Sequence, residues 1–187
     1  METRLKRICI KKNPSYAVHY TEGIMNKNDS SVGFHYDPDF AILYMKKGKG
    51  MLRIEGNHFP VSDGDIVVTT PNQIHRYEME DGVYQQKVIL YVNPSILSGF
   101  CANGDEFFEC FTACERGGGN VIPSDTARQY KLDALLEDLL SLAKDESKRS
   151  ELLCLCKIVE ILSAVCGAYD KKADANENFF TFFEKSS

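Results

Sequence analysis

Two histidines and an aspartate, His35, Asp37 and His75, are the residues of this chain best suited to chemistry. Imidazole nitrogens and a carboxylate that converge can hold a divalent metal, and two histidines with one carboxylate suit non-haem Fe(II) with open positions. Zinc accepts the same ligands. The alternative interpretation is that these polar groups line a half-open barrel, hydrogen-bonded to each other and to water.

Short β-strands separated by turn residues surround these three side chains. Residues 40–45 form an apolar run that is too short for a typical helix, and residues 66–70 are β-branched throughout. Further short strands are predicted at residues 5–10, 16–20, 34–37, 51–54, 58–61 and 84–92, with turn residues between most of them. Strands this short and closely spaced predict an all-β sandwich or barrel.

A small-ligand pocket needs a few hydrogen-bonding groups among apolar walls. The candidate ligand-binding residues are His35, Asp37, Arg53, His75 and Tyr77. If the segment after Ile74 is a strand, His75, Tyr77 and Met79 point the same way, because side chains alternate along a strand.

Two groups of residues between His35 and His75 resemble the two sequence motifs of the cupin family. They are His35, Asp37, Ala41 and Gly48 for the first motif, and Gly64, Asp65, Pro71 and His75 for the second. The version with Gly-Asp, an apolar strand, Pro and a late His is most similar to the sensor domain of AraC-type transcriptional regulators. The resemblance covers residues 29–94 and extends more weakly through the C-terminal helices.

The resemblance implies a mainly β chain with C-terminal helices: a cupin (double-stranded β-helix) barrel followed by an antiparallel helix hairpin. It also implies a small-molecule effector, with a sugar as the family-level guess. The effector would control DNA binding through a helix-turn-helix region that this sequence does not contain. An N-terminal arm can close over the ligand in such sensors.

The sequence departs from the metal-binding cupin pattern at two positions. Asp37 stands where a second histidine is expected, and Ala41 stands where a glutamate ligand is expected. Losing one ligand and replacing another weakens a transition-metal site. We therefore predict no cofactor, no bound metal and no catalytic residue. The alternative is a stand-alone metal-dependent cupin enzyme, an oxygenase or isomerase, that uses His35, Asp37 and His75, because this fold hosts many functions.

Leucines at helical spacing predict two helices near the C-terminus, the first over residues 132–144 and the second from 152 to near Gly167. Thr126 and Gln129 can form a capping box before the first helix. A short polar loop joins the two as an antiparallel hairpin. The second helix is apolar on much of its circumference, which predicts a homodimer through these helices.

These patterns divide the chain into four parts. Residues 1–94 are predicted to form the sensor barrel with its N-terminal arm, and residues 95–122 a connector with short helices. Residues 123–170 are predicted to form the helix hairpin. Residues 171–187 are a phenylalanine-rich tail without a helix-turn-helix pattern.

The composition excludes several classes of function. The 187-residue chain has a net charge of −5, which argues against holding nucleic acid by itself. It has no N-terminal signal-like segment and no uninterrupted apolar run near 18 residues, so we expect no membrane contact. Its seven cysteines are odd in number and include no Cys-x-x-Cys, which predicts structural thiols in the cytoplasm.

Overall fold

The computed structural model describes residues 5–24, 33–97, 111 and 119–184, without the side chains of Leu97 and residues 170–184. The strands are β1 (Lys6–Lys12), β2 (Tyr16–Ile24), β3 (Phe40–Lys47), β4 (Gly50–Ile54), β5 (Asn57–Val61), β6 (Ile66–Thr69), β7 (His75–Met79), β8 (Tyr84–Val92) and β9 (Val121–Ile122). The helices are a 3₁₀ turn (Pro94–Leu97), α1 (Ser124–Gln129), α2 (Leu132–Ala143) and α3 (Lys148–Glu184).

The strands form two antiparallel sheets that face each other. The larger sheet has the order β1-β2-β8-β3-β6-β9, and the smaller has the order β5-β4-β7. Except for residues 34–37, the predicted short strands are all present in this arrangement. The prediction of a mainly β chain followed by helices is confirmed.

Alternation along β8 separates two hydrophobic cores. Val88 and Leu90 are fully buried in the core that the larger sheet forms with the helices. Lys87, Ile89 and Tyr91 point the other way and line the space between the two sheets. Alternate residues of β8 therefore face the helix layer on one side of the sheet and the barrel interior on the other.

The two long helices pack against each other as the predicted hairpin, joined by residues 144–147. Ser150 connects the start of α3 to α2, because the Ser150 hydroxyl donates a hydrogen bond to the Leu142 carbonyl. The second helix was expected to end near Gly167, but α3 continues to Glu184 and takes in most of the predicted tail. Gly167 is a packing site, since a Cβ there would lie 2.8 Å from Cε1 of Tyr130.

Two local predictions differ from the structure. The segment around His35 is not a strand but makes a single antiparallel bridge to His75. The capping box also does not form, because α1 already begins at Ser124 and has no side-chain cap of its own. Its first amide is instead held from a distant turn, where Asp65 Oδ1 accepts a hydrogen bond from the Ser124 N–H at 2.9 Å.

One stretch of α3, Lys148–Tyr169, is long and apolar enough to cross a membrane by length and composition alone. The sequence has no uninterrupted apolar run of this length, because charged residues such as Glu151, Lys157 and Glu160 interrupt the stretch. Core helices of soluble proteins have the same character. Several apolar residues of this stretch, including Ile158, Leu162 and Val165, are fully buried in the core beneath the sheet.

The cysteines do not all follow the prediction of free thiols. Cys9, Cys154 and Cys156 are free, and Cys154 is buried among apolar side chains. Cys166 is disulfide-bonded, so the prediction is wrong at this position. Sequence spacing identifies local cysteine pairs, whereas a disulfide requires only that two cysteines meet in space.

Candidate functional site

A cavity of about 150 Å³ lies between the two sheets. Its lining comes from strands of both sheets and from the segment before β3. The lining residues are Arg7, His35, Asp37, Ala41, Leu43, Leu52, Val67, Thr69, His75, Tyr77, Met79, Lys87, Ile89 and Tyr91. The walls are largely aliphatic and aromatic with a few polar groups, which is the make-up of small-molecule sites.

Four of the five predicted ligand-binding residues meet in this cavity. The structure brings His35, Asp37, His75 and Tyr77 to its lining. Met79 lies there too, as expected from alternation along β7. Phe34 and Tyr36, which alternate with His35 and Asp37 along the chain, point away from the cavity and are 59% and 62% exposed.

Arg53 is the predicted site residue that the structure places elsewhere. Its neighbours Leu52 and Ile54 are buried between the sheets, so alternation turns Arg53 to the outer face of β4. There its Nε donates to Glu78 Oε2 at 2.7 Å, and its Nη1 lies 2.8 Å from His58 Nε2. We correct the expectation that Arg53 lines the pocket.

The two cavity histidines are held in one tautomer by the backbone. His75 Nδ1 lies 2.9 Å from the Gln73 carbonyl, and His35 Nδ1 lies 3.0 Å from the Gly33 carbonyl. A carbonyl only accepts, so Nδ1 carries a proton in each ring. The rings lie 4.4 Å apart, and His75 Nε2 is 3.7 Å from Asp37 Oδ2.

Burial is the main influence on the charge of His75. It lowers the pKa of the ring, and the neighbouring His35 lowers it further. The Gln73 carbonyl and the Asp37 carboxylate act in the opposite direction but do not outweigh burial. His75 is therefore neutral at pH 7 and presents an unprotonated Nε2.

The cluster of His35, Asp37 and His75 has the chemistry of an incomplete metal site. Each residue offers one ligand atom, and these atoms lie within 4.8 Å of one another. Backbone carbonyls on Nδ1 are the usual outer support of metal-binding histidines. Tetrahedral ligands at metal–nitrogen distances near 2.1 Å lie roughly 3.4 Å apart, so the cluster would have to contract around an ion. Ala41, also in the lining, offers no fourth ligand.

Lys87 is a cavity residue that the sequence analysis missed. Its side chain projects from the middle of β8 and is 6% exposed. Nζ lies 3.1 Å from Met79 Sδ and 4.8 Å from the centre of the Tyr77 ring. Burial, with a smaller contribution from Arg7, lowers the pKa of Lys87 to about 8. The available sequence signal was a lysine directly before the apolar run of residues 88–92 in a predicted strand.

Arg7 is the second missed residue, and it connects β1 to the cavity. Its Nη2 donates to the Tyr91 hydroxyl at 3.0 Å, and its Nε donates to His19 Nδ1 at 3.2 Å. The guanidinium also lies 5.8 Å from the centre of the Tyr91 ring. An exposed basic residue on an edge strand carries no sequence signal for a site. Its role depends on β1 pairing with β2 beside the cavity.

A family model described as the AraC-like ligand binding domain matches residues 19–162. None of the curated proteins matches the chain.

Several solved structures resemble the barrel at low sequence identity. A cupin superfamily protein from Desulfitobacterium hafniense is 8% identical, over 50% of this chain and 81% of that chain, with a TM-score of 0.43. The DMSP lyase DddQ from Ruegeria pomeroyi is 17% identical, over 48% of this chain and 47% of that chain, with a TM-score of 0.40. KdgF from Halomonas sp. is 14% identical, over 48% and 79% of the two chains, with a TM-score of 0.40. Likeness at this level carries no argument about ligand or activity. The family match, together with the two facing sheets, confirms the predicted cupin barrel.

Proposed function

The chain belongs to the family of AraC-like ligand binding domains, and from this premise we propose that it senses a small molecule and passes the binding event to a DNA-binding region outside this sequence. The observation that carries the proposal is the cavity between the two sheets, in which polar side chains converge among aliphatic walls. An enclosed, largely apolar pocket with convergent polar side chains is a ligand site by default.

Strand β1 supplies a physical route from the cavity to the helices. Arg7 in this strand lines the cavity. Farther along the strand, Lys11 Nζ donates to the Asp145 carbonyl at 3.2 Å, in the loop between α2 and α3. Asn13 follows β1 and donates to Glu151 Oε1 at 3.4 Å. One short edge strand thus touches both the ligand site and the start of α3.

For ligand binding to act through this route, the ligand must bind one arrangement of β1 more tightly than another. Arg7 is the residue that can supply the difference, because it enters the cavity lining from the strand that also contacts the helix loop. A ligand that contacts Arg7 would hold β1 against the barrel. A ligand that displaces Arg7 would loosen it.

The direct test is a screen of metabolites by thermal denaturation of the purified chain. We expect at least one compound to raise the melting temperature of the wild-type protein. The same compound should have no effect on Ala41→Leu, which fills part of the cavity. Ala134→Leu is the matched control, since Ala134 is exposed on α2. Stabilisation that persists in Ala41→Leu would mean that the compound binds elsewhere.

The exposed side of α3 supports self-association as part of the same proposal. Leu152 is 63% exposed and Leu153 is 41% exposed, near the start of this helix. A second copy could bury these leucines about a two-fold axis. Light scattering should give a dimer for the wild-type protein and a monomer for Leu152→Glu. Ile74→Glu, an exposed apolar site in the barrel, should remain dimeric.

The second candidate function is that of a metal-dependent cupin enzyme, and the cluster of His35, Asp37 and His75 favours it. A bound divalent metal would supply Lewis-acid or oxygen chemistry in the cavity. Elemental analysis of protein purified without chelator or affinity-tag metal decides between the candidates. Near one equivalent in the wild-type protein and in His58→Ala, but none in His75→Ala, would favour the enzyme. His58 is an exposed histidine outside the cavity.

A further inference from the structure

The ammonium of Lys87 is buried beside the cavity without a counter-ion. Its contacts are the Met79 sulfur at 3.1 Å and the Tyr77 ring face at 4.8 Å. Within the part of the chain that the structure describes, no carboxylate forms an ion pair with it. A buried charge is normally paired, because removing it from water costs free energy that only a partner recovers.

The other charges of the lining leave the cavity short of negative charge. Arg7 adds a second cation, and Asp37 is the one carboxylate among the lining residues described. That carboxylate faces His75 at 3.7 Å, so it has its own neighbour. The two basic side chains, Lys87 and Arg7, therefore outnumber the single carboxylate of the lining.

Two hydroxyl groups of the lining also lack partners among the described residues. Thr69 Oγ1 and Tyr77 Oη are buried and make no hydrogen bond. Buried polar atoms are almost always hydrogen-bonded, so these two hydroxyls add to the donors near the cavity that lack an acceptor. Both hydroxyls can donate, as can the ammonium of Lys87, so the missing partner is an acceptor.

The size and walls of the cavity limit what can carry that acceptor. A cavity of about 150 Å³ matches in volume an apolar protein cavity that binds benzene. The walls include Leu43, Leu52, Val67 and Ile89, which offer no hydrogen bond. A sugar would bury hydroxyls against these side chains at a cost, so the cavity disfavours the family-level guess.

We propose that the cavity binds a small organic carboxylate with an apolar body of about the size of benzene, and that the carboxylate pairs with the Lys87 ammonium. The inference rests on the proposed sensing function and names the chemical class of its effector. The apolar body fills the space between the aliphatic walls. The carboxylate supplies the acceptor and the negative charge that the lining lacks.

The test uses two compounds of equal shape, benzoate and benzamide, and calorimetric titration of the full chain at pH 7. Benzoate should bind the wild-type protein at least about tenfold more tightly than benzamide, as expected for a hydrogen-bonded charge. Lys87→Met should lose about tenfold or more in benzoate affinity while it keeps its affinity for benzamide. Lys12→Met, an exposed site on β1, should bind like the wild-type protein.

A second readout separates an ion pair from a merely structural effect of Lys87. Burial lowers the pKa of Lys87 to about 8 in the ligand-free protein. A bound carboxylate should raise this pKa again. Titration at pH 8 in two buffers of different ionisation enthalpy should therefore show uptake of about half a proton per benzoate. The other ionisable side chains of the lining are Arg7, His35, Asp37, His75, Tyr77 and Tyr91. The uptake should vanish in Lys87→Met, in which these groups are unchanged.

The outcomes distinguish this inference from the proposed function. Equal affinity for benzoate and benzamide, or undiminished benzoate binding by Lys87→Met, would overturn the inference. Stabilisation by neutral metabolites with none by carboxylates would also overturn it, yet would leave the sensing function standing. If no compound of either kind binds in the cavity, both fail.

Discussion

The Lys87 ammonium lies 4.8 Å from the centre of the Tyr77 ring, across the space between the two sheets. Lys87 belongs to β8 of the larger sheet, and Tyr77 belongs to β7 of the smaller one. The ring face attracts the cation and offsets part of the cost of its burial. The ring does not replace a counter-ion. The pKa of Lys87, about 8, reflects the part of the cost of burying the charge that the ring does not offset.

Lys87 therefore predicts how stability depends on pH. Its folded-state pKa of about 8 is below the ordinary 10.5, so between these values the unfolded chain binds more protons. The free energy of unfolding should rise by about 2 kcal/mol as pH increases from 8 to 10. Urea unfolding at a series of pH values measures it.

Lys87→Met is the control for this pH dependence. At pH 7 it should equal or exceed the wild-type stability, because it removes an unpaired buried charge. Between pH 8 and 10 it should lack the rise. Measurements stop there because tyrosines with raised pKa values act oppositely at higher pH: partial burial and the neighbouring Glu22 raise the pKa of Tyr20 to about 12. An identical rise in Lys87→Met would refute the assignment to Lys87.

Asp65 lies outside the cavity and is expected to stabilise the fold. Its carboxylate accepts hydrogen bonds from the Ser62 N–H at 2.8 Å and the Ser124 N–H at 2.9 Å. It thereby joins the turn before β6 to the start of α1. Asp65→Ala should lower the free energy of unfolding by about 1–2 kcal/mol, because it leaves two partly buried backbone donors without an acceptor.

The matched control for Asp65→Ala is Asp125→Ala in α1. Asp125 pairs with Arg128 at the surface, and its side chain is 93% exposed. Surface pairs of this spacing contribute at most about 0.5 kcal/mol. Equal losses in the two variants, measured by chemical denaturation, would contradict the proposed link between the turn and α1.

Gly50 is expected to tolerate no side chain. A Cβ at this position would lie 2.4 Å from the Tyr77 hydroxyl and 2.6 Å from the Glu78 carbonyl oxygen. Gly50→Ala should therefore cost about 1–3 kcal/mol of stability, as overpacking does. Gly33→Ala is the control, since nothing lies within 4 Å of its Cβ position. The melting temperatures should differ clearly, and similar values would argue against close packing of β4 on β7.

Lys11 is predicted to matter for coupling but not for binding. Its side chain joins β1 to the Asp145 carbonyl and does not line the cavity. Lys11→Met should bind a cavity ligand with unchanged affinity, yet lose any ligand effect on hydrogen exchange in residues 144–150. Calorimetry and exchange measured together test both parts. Lys12→Met should behave like the wild-type protein, and a loss of affinity in Lys11→Met would place Lys11 in the site.

Much of the barrel could be predicted because strand alternation and turn residues are local properties of the sequence. The same rule placed His75, Tyr77 and Met79 together, and the structure agrees. It does not say which face of an isolated strand is inside. That is why Arg53 was assigned to the pocket although Leu52 and Ile54 are the buried residues of β4.

The features that could not be predicted depend on contacts between parts of the chain that are distant in sequence. Arg7 reaches the cavity only because β1 pairs beside it, and Asp65 replaces the predicted capping box from a turn far away in sequence. The end of α3 was misplaced for a similar reason. Gly167 was interpreted as a helix stop, whereas it makes room for the Tyr130 ring.

The most direct test of the account is hydrogen–deuterium exchange of the purified chain with and without a compound that stabilises it but not Ala41→Leu. The account predicts a change in exchange in the cavity strands, in β1 and in residues 144–150 together. A change confined to the cavity strands would contradict the proposed transmission to the helices. Failure to find any compound that depends on the cavity would contradict the sensing function itself.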